Sequence, residues 1–440
     1  MKKLLLLTFI FYNYLLAQNK FYEFNFKINN FKNSHIFFGY HFGDNKYVTD
    51  TIYLNSKGEG FLKKETLPQG IYFIALPNMK YTNFLVLEKQ LYKISNDTSN
   101  LLRNLVVENN KENEIFIDYQ IKLNNYKQVI SKIKKQIKQY PDSEKFLLQN
   151  ISQEEKLWEN YVSNIISNYP NFFSTKIIKS LKSKDFTFDA EKYFEHIDFY
   201  DERLLFSPVF STVIDNFFTS IPGLTINNID SLYKAIDYIL MTSIKNTSIY
   251  EELSKYLISQ FDLSGNYPNP DAFWYLADKY FLTDLIPWVN DAFKAKLSKY
   301  NKHLKKIIIS EKFPGLTLYN DKDQIVKFPN NNNLHTIIVF WDPECEHCLN
   351  YLRQLKKIMQ TYKDKIEIYA VLTGTNTNLW KKVIHEEAFT WYNLYDRKLL
   401  NDFVEELFLH NTPQIFLLDQ NKKIIAKDLL PEEIINWIKL

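Results

Sequence analysis

The chain has 440 residues, 45% of them hydrophobic and 24% charged, with a formal charge of +3. That is ample for packed cores and, at about 150 residues per domain, for roughly three domains. The near balance of charge, with no basic stripe and no nucleic-acid motif, removes nucleic acid from the partners to consider. Two cysteines in the whole chain remove a disulfide-stapled scaffold.

Met1, Lys2 and Lys3 give a positive start, residues 4–16 form an apolar stretch broken by Asn13, and Ala17-Gln18 offers a cleavage point. Residues 1–17 therefore read as a secretory signal. The stretch is shorter than the about 20 apolar residues of a spanning helix. Leu15 stands where a small residue is usual before a cleavage site, and no cysteine follows for lipid attachment. An exported chain with a single cysteine pair fits a catalyst.

Residues 18–107 read as an antiparallel β domain. Phe24, Phe26 and Ile28 alternate with polar neighbours, and residues 36–38, 48–54, 71–75 and 84–87 continue the series. The segment 56–60, Ser-Lys-Gly-Glu-Gly, marks a turn. No catalytic constellation lies here, so the segment is expected to bind or to space. The aromatic share of 16% is spread along the chain, as large cores require.

From 108 to 305 the period becomes helical. Ile115, Tyr119, Leu123, Tyr126, Ile130, Ile133 and Ile137 mark one long amphipathic helix stopped near Pro141; Leu157, Tyr161 and Ile165 mark another ending before Pro170. Lysine-rich faces such as Lys132, Lys134 and Lys135 read as solvated, with a membrane or partner surface as the other reading. No internal repeat is present. Residues 319–333, a hairpin pattern and an asparagine run, lead into the last domain, 306–440.

That last domain reads as α/β. Residues 336–341 are continuously apolar, as a strand covered on both faces should be. Leu352, Leu355, Ile358, Met359 and Tyr362 recur at helical spacing. Residues 366–372 form a second buried strand; Leu379, Trp380 and Val383 mark a helix, and Leu400, Phe403, Val404 and Leu407 another. Residues 415–418 and 424–426 flank the turn-rich 419–422 as a hairpin. Pro431, Glu432 and Glu433 open a final helix.

Both cysteines sit at the junction between the first of these strands and its helix, as Cys345-Glu346-His347-Cys348. A thiol with a pKa of about 8.5 is mostly protonated near neutrality, and the thiolate is the nucleophile. A helix starting at the motif would aim its free N–H groups and positive dipole end at Cys345 and favour the anion. Cys345 is then the attacking sulfur, and Cys348, one turn on, resolves the mixed disulfide. Glu346 and His347 tune the poise in opposite directions, because stabilising the thiolate makes the disulfide more oxidising. A histidine before the second cysteine is similar to the oxidising end of the known range, about −120 mV against about −270 mV for thioredoxin. A zinc half-site competes, but the remaining ligands would have to come from scattered His335, His385 or His410, so no metal and no cofactor are assigned.

The run 340–348, Phe-Trp-Asp-Pro-Glu-Cys-Glu-His-Cys, the Thr412-Pro413 step before a strand, and the lead-in 313–318 together resemble the thioredoxin superfamily, in its TlpA/ResA-like branch. That resemblance implies a thioredoxin-like C-terminal fold, a cis Pro413 against the dithiol, and substrate held by Thr412 and Pro413; Trp341 is placed with them as a substrate-binding candidate, its other reading being packing beside the motif. It also departs in two places. Val339 stands where thioredoxins carry a buried aspartate, and Tyr351 where the branch carries a glutamate. Proton transfer during resolution is left to Glu344, Glu346, His347, Asp342 or water. The β domain and helical block resemble segments found upstream of such modules in exported bacterial proteins.

The expected architecture is thus multidomain: an antiparallel β-sandwich-like N-terminal domain, an all-α middle and an α/β thioredoxin-like C-terminal domain. The expected function is that of an exported thiol–disulfide oxidoreductase of the periplasm or cell envelope. Its partners would be envelope protein thiols or disulfides, and a membrane or periplasmic electron donor. The alternative is a non-catalytic protein-binding platform on the same fold; a thiol peroxidase ranks third, since that chemistry does not ordinarily use a C-x-x-C pair.

Overall fold

The computed structural model describes residues 21–182, 187–221, 224–262, 264–329, 334–397, 403–407, 409 and 412–439. The expected signal segment 1–17 lies outside them, as do Leu400, His410 and the asparagine run at 330–333. The chain divides into two compact units, residues 1–182 with 201–212, and residues 183–200 with 213–440. The helices read between 108 and 305 are shared between the two.

In the first unit, β1 (Tyr22–Asn29), β2 (His35–Phe42), β3 (Asn45–Tyr53), β4 (Glu59–Lys64), β5 (Gly70–Ala75), β6 (Tyr81–Val86), β7 (Leu91–Asp97) and β8 (Val106–Val107) form two four-stranded sheets, ordered β4-β1-β7-β8 and β3-β2-β5-β6. Alternation decides which side chains face inward: Phe24, Phe26, Phe38, Tyr72, Phe84 and Tyr92 fill the space between the sheets. The high aromatic content therefore has a packing role here. β1 and β7 run parallel, the one departure from the antiparallel expectation among the pairings of this unit.

Helix α1 (Lys111–Gln139) runs back along α2 (Glu144–Asn168), and α3 (Phe173–Ser180) packs against both. Asn113, buried in the first turn of α1, joins the helix to the edge strand β6. Its Oδ1 accepts the Leu85 N–H at 2.7 Å and its Nδ2 donates to the Leu85 carbonyl at 2.9 Å. One side chain thus gives the strand edge the donor and acceptor that another strand would supply.

The second unit contains α4 (Ala190–Phe194), most of α5 (Val209–Thr219), β9 (Leu224–Thr225), α6 (Ile229–Ser243), α7 (Thr247–Phe261), α8 (Pro270–Leu276) and α9 (Asp291–Leu304). These are followed by an α/β region: β10 (Leu316–Asn320), β11 (Ile325–Phe328), β12 (His335–Trp341), α10 (Glu346–Tyr362), β13 (Ile366–Leu372), α11 (Thr377–Glu387), β14 (Tyr392–Tyr395), α12 (Phe403–Glu406), β15 (Gln414–Leu418), β16 (Ile424–Lys427) and α13 (Pro431–Ile438). The sheet is ordered β11-β10-β14-β13-β12-β15-β16-β9. β12 is central, parallel to β13 and antiparallel to β15. Its buried Ile337, Val339 and Trp341 share a core with Leu352 and Leu355 of α10, Trp380 of α11 and Ile434 of α13.

The outermost strand of this sheet comes from the helical part of the chain, which was expected to be all-α. Thr225 pairs with Ala426 and Leu224 with Lys427, and the Ile226 N–H donates to the Ile425 carbonyl at 2.8 Å. Beside this seam the Lys427 ammonium is paired with the Asp271 carboxylate of α8, both buried. Asp271 also accepts the Ile309 N–H at 2.6 Å, and Lys427 donates to the Ile307 carbonyl at 3.2 Å. A buried pair is tolerable only when hydrogen bonds satisfy its remaining atoms, and here they do so in part. Replacing Lys427 by Ala strands a buried carboxylate and should cost about 3–5 kcal/mol in urea unfolding. Combining Asp271→Leu with Lys427→Met should recover part of that loss in the same measurement.

Candidate active site

Everything at the site follows from how β12 ends. The Trp341 carbonyl accepts both the N–H (3.0 Å) and the hydroxyl (3.2 Å) of Thr373. Next, Asp342 turns the chain twice over: its Oδ1 accepts the Glu344 N–H at 2.8 Å and its carbonyl accepts the Cys345 N–H at 3.1 Å. Gly374 lies against the Asp342 carboxylate, where a Cβ would collide with it. Asn376 donates to Glu344 Oε1 at 3.0 Å and ties down the far side of the turn. The strand-to-helix loop is therefore held from two elements.

Cys345 is the N-cap of α10, with extended backbone angles (φ −93°, ψ 108°), and its sulfur accepts the Cys348 N–H at 3.2 Å. N-caps are usually Ser, Thr, Asp or Asn, whose oxygen satisfies an otherwise orphaned N–H. Here sulfur takes that place, and a thiolate there gains both the hydrogen bond and the helix dipole. The Cα atoms of Cys345 and Cys348 are 5.3 Å apart and the two sulfurs lie at disulfide distance. Cys345 is partly exposed, whereas Cys348 has no exposed surface. A partner can reach only the first.

The β12–β15 register, Phe340 opposite Gln414, brings the residues before β15 level with the loop. The Thr412–Pro413 peptide is cis, and the Thr412 carbonyl oxygen lies 3.6 Å from Cys345 Sγ. Thr412 and Pro413 are both partly exposed beside the sulfur.

Trp341 requires a correction. The substrate-binding expectation does not fit a side chain with no exposed surface, packed edge-on against Phe389 at 6.5 Å between ring centroids. It presents nothing to a docked chain and serves the core. Glu346 and His347 are exposed in the first turn, and neither is hydrogen-bonded to a described residue. Any influence on the sulfur is through charge alone. Tyr351 is buried and donates to the Leu429 carbonyl at 2.7 Å. Burial, with the carboxylates of Asp428, Glu433 and Glu432 nearby, pushes its phenol well above its usual range. It stays protonated and cannot act as the missing base.

Two residues near the site escaped the sequence reading. Asn376 is one. Asp428 is the other: it takes a left-handed φ of +54°, and its carboxyl, pushed up by burial, accepts the Ile415 N–H at 3.1 Å two residues beyond Pro413. The hairpin turn at 419–422 sets the register that places it there. The turn is legible from its residues, but the register across it is set by pairing with β15.

A family model described as thioredoxin-like matches residues 332–424. The C-terminal part of this chain is a thioredoxin-like domain. Similar solved structures include a thioredoxin-like protein from Bacteroides caccae, at 16% identity over 59% of this chain and 99% of that one, with a TM-score of 0.45. Another is a domain of a possible thiol-disulfide isomerase from Cytophaga hutchinsonii, at 26% identity over 30% of this chain and 91% of that one, TM-score 0.29. A third is the thioredoxin domain of a thiol-disulfide oxidoreductase from Bacteroides vulgatus, at 26% identity over 30% and 96%, TM-score 0.29. No curated protein matches the chain.

The clamps on this thioredoxin-like domain can be tested one at a time. Gly374→Ala should displace Asp342 and slow alkylation of reduced Cys345 roughly tenfold, with the far-UV circular dichroism unchanged. Tyr351→Phe leaves the Leu429 carbonyl buried without its donor and should lower stability by about 1–3 kcal/mol in urea unfolding.

Proposed function

We propose that the protein is an exported thiol–disulfide oxidoreductase acting on proteins of the cell envelope. The observation that carries this reading is the asymmetry of the pair: a partly exposed sulfur at a helix N-cap, 3.6 Å from the carbonyl oxygen of Thr412, with its sulfur partner fully buried behind it. In the reducing direction the Cys345 thiolate attacks a partner disulfide, forming a mixed disulfide and releasing one partner thiolate. Cys348 loses its proton and attacks Cys345 Sγ. The protein disulfide forms, the second partner thiolate leaves, and two electrons have passed to the partner. A membrane or periplasmic donor would return the dithiol, and the oxidising direction runs the same steps backwards. Thr412 and Pro413 supply the platform on which the partner backbone lies.

Export rests on the lysine start, apolar stretch and Ala17-Gln18 step of residues 1–17. A second reading, a non-catalytic binding platform, is favoured by one feature: Val339 and Tyr351 stand at the two places where a carboxylate would assist Cys348, and the Tyr351 hydroxyl is engaged by Leu429.

Titration in a dithiothreitol or glutathione redox buffer, followed by alkylation, separates the two. The oxidoreductase gives a reversible two-electron couple and reduces insulin; Cys345→Ser abolishes both, and Cys348→Ser accumulates a mixed disulfide. Thiols that neither titrate as a pair nor reduce insulin leave the platform.

A further inference from the structure

We infer that the distal end of the α1–α2 hairpin docks on an anionic lipid surface. No acidic residue occurs between Asp118 and Asp142. Over residues 127–153 six lysines (Lys127, Lys132, Lys134, Lys135, Lys138 and Lys145) face two acids, Asp142 and Glu144. All six lysines are exposed, and none is ion-paired with a described residue, in contrast to Lys122, which pairs with Asp118 at 3.1 Å. Four of them border a shallow trough of about 400 Å³, floored by Tyr126 and Ile130. Positive charge is thus concentrated toward the closing turn, while the carboxylates of Glu154, Glu155 and Glu159 act on Tyr126 at the other end of the trough.

The same end carries apolar side chains that the protein leaves in water. Tyr140, Phe146 and Leu148 are 54%, 64% and 49% exposed around the closing turn at Pro141–Ser143. They are not needed inside, because Ile133, Leu147 and Ile151, with Ile130 and Ile137, already close a small core there. Rings and aliphatic chains beside lysines suit the headgroup boundary, where the former enter the acyl edge and the latter meet phosphates. An anionic leaflet satisfies both sets, whereas an acidic soluble partner satisfies only the charge. Among the described residues no helix is long and apolar enough to cross a membrane. The inference does not rest on the dithiol.

The full chain is tested by co-sedimentation with phosphatidylcholine vesicles made with and without phosphatidylglycerol, at low and high salt. Residues 1–17 are common to every variant and cancel in the comparison. Docking predicts preference for the anionic vesicles, weakening with salt. It also predicts a loss of about tenfold or more in Lys134→Glu/Lys135→Glu/Lys138→Glu, and a smaller loss in Tyr140→Ser/Phe146→Ser, with circular dichroism unchanged. Equal binding to both vesicle types, or wild-type binding by both variants, overturns it. So does salt-sensitive self-association that the charge reversal abolishes while vesicle binding stays intact.

Discussion

A sulfur standing where a helix cap would normally place an oxygen is the constraint on which the site depends. The cap position forces Cys345 into an extended backbone, which ends the loop and points its side chain back over the first turn. Cys348 then falls one turn later and inward, so a single local choice fixes which sulfur is reachable and which is sheltered. Asp342 secures the approach and Thr412 the opposite wall. Remove the cap geometry and neither of those contacts would have a sulfur to act on.

Around this centre the domain is built from long-range pairings. β12 brings the dithiol to the end of the sheet, and its antiparallel neighbour β15 carries Thr412 and Pro413 to the same end. β16 then extends the sheet and delivers Asp428 beside them. Because β16 is also held by β9 and by Asp271, the position of the residues following Lys427 is set partly by the helical segment that precedes the α/β region. The helices there are thus structural partners of the sheet and more than a spacer.

The local features of this arrangement were readable from the residues themselves. Three-residue cysteine spacing at a strand-to-helix change of period means one helical turn, and residues 415–426 show a hairpin because turn formers interrupt two apolar runs. The helices α1 and α2 announced themselves through apolar spacing and the prolines that follow them, Pro141 and Pro170. What stayed hidden was non-local. β9 has two residues and no period to detect. Asp271 and Lys427 are 156 positions apart, and each taken alone reads as a surface charge. Trp341 lies in the apolar run 336–341, whose pattern already called for cover on both faces, and only its assignment to substrate went beyond that pattern. Asn113 has the same lesson in reverse, a polar residue wholly buried because a strand edge needed its amide.

The cover that β9 gives β16 bears on how this molecule tolerates being cut. Severing the chain at residue 305, where periodicity invites a boundary, would keep the Ser310 and Glu311 bonds to Ile424 but bare the backbone edge of β16 from Ile425 to Lys427. It would also leave the Lys427 ammonium without its carboxylate inside the remaining fragment. The thioredoxin-like domain thus borrows its last edge strand and the partner of its buried cation from residues that lie before it in the chain.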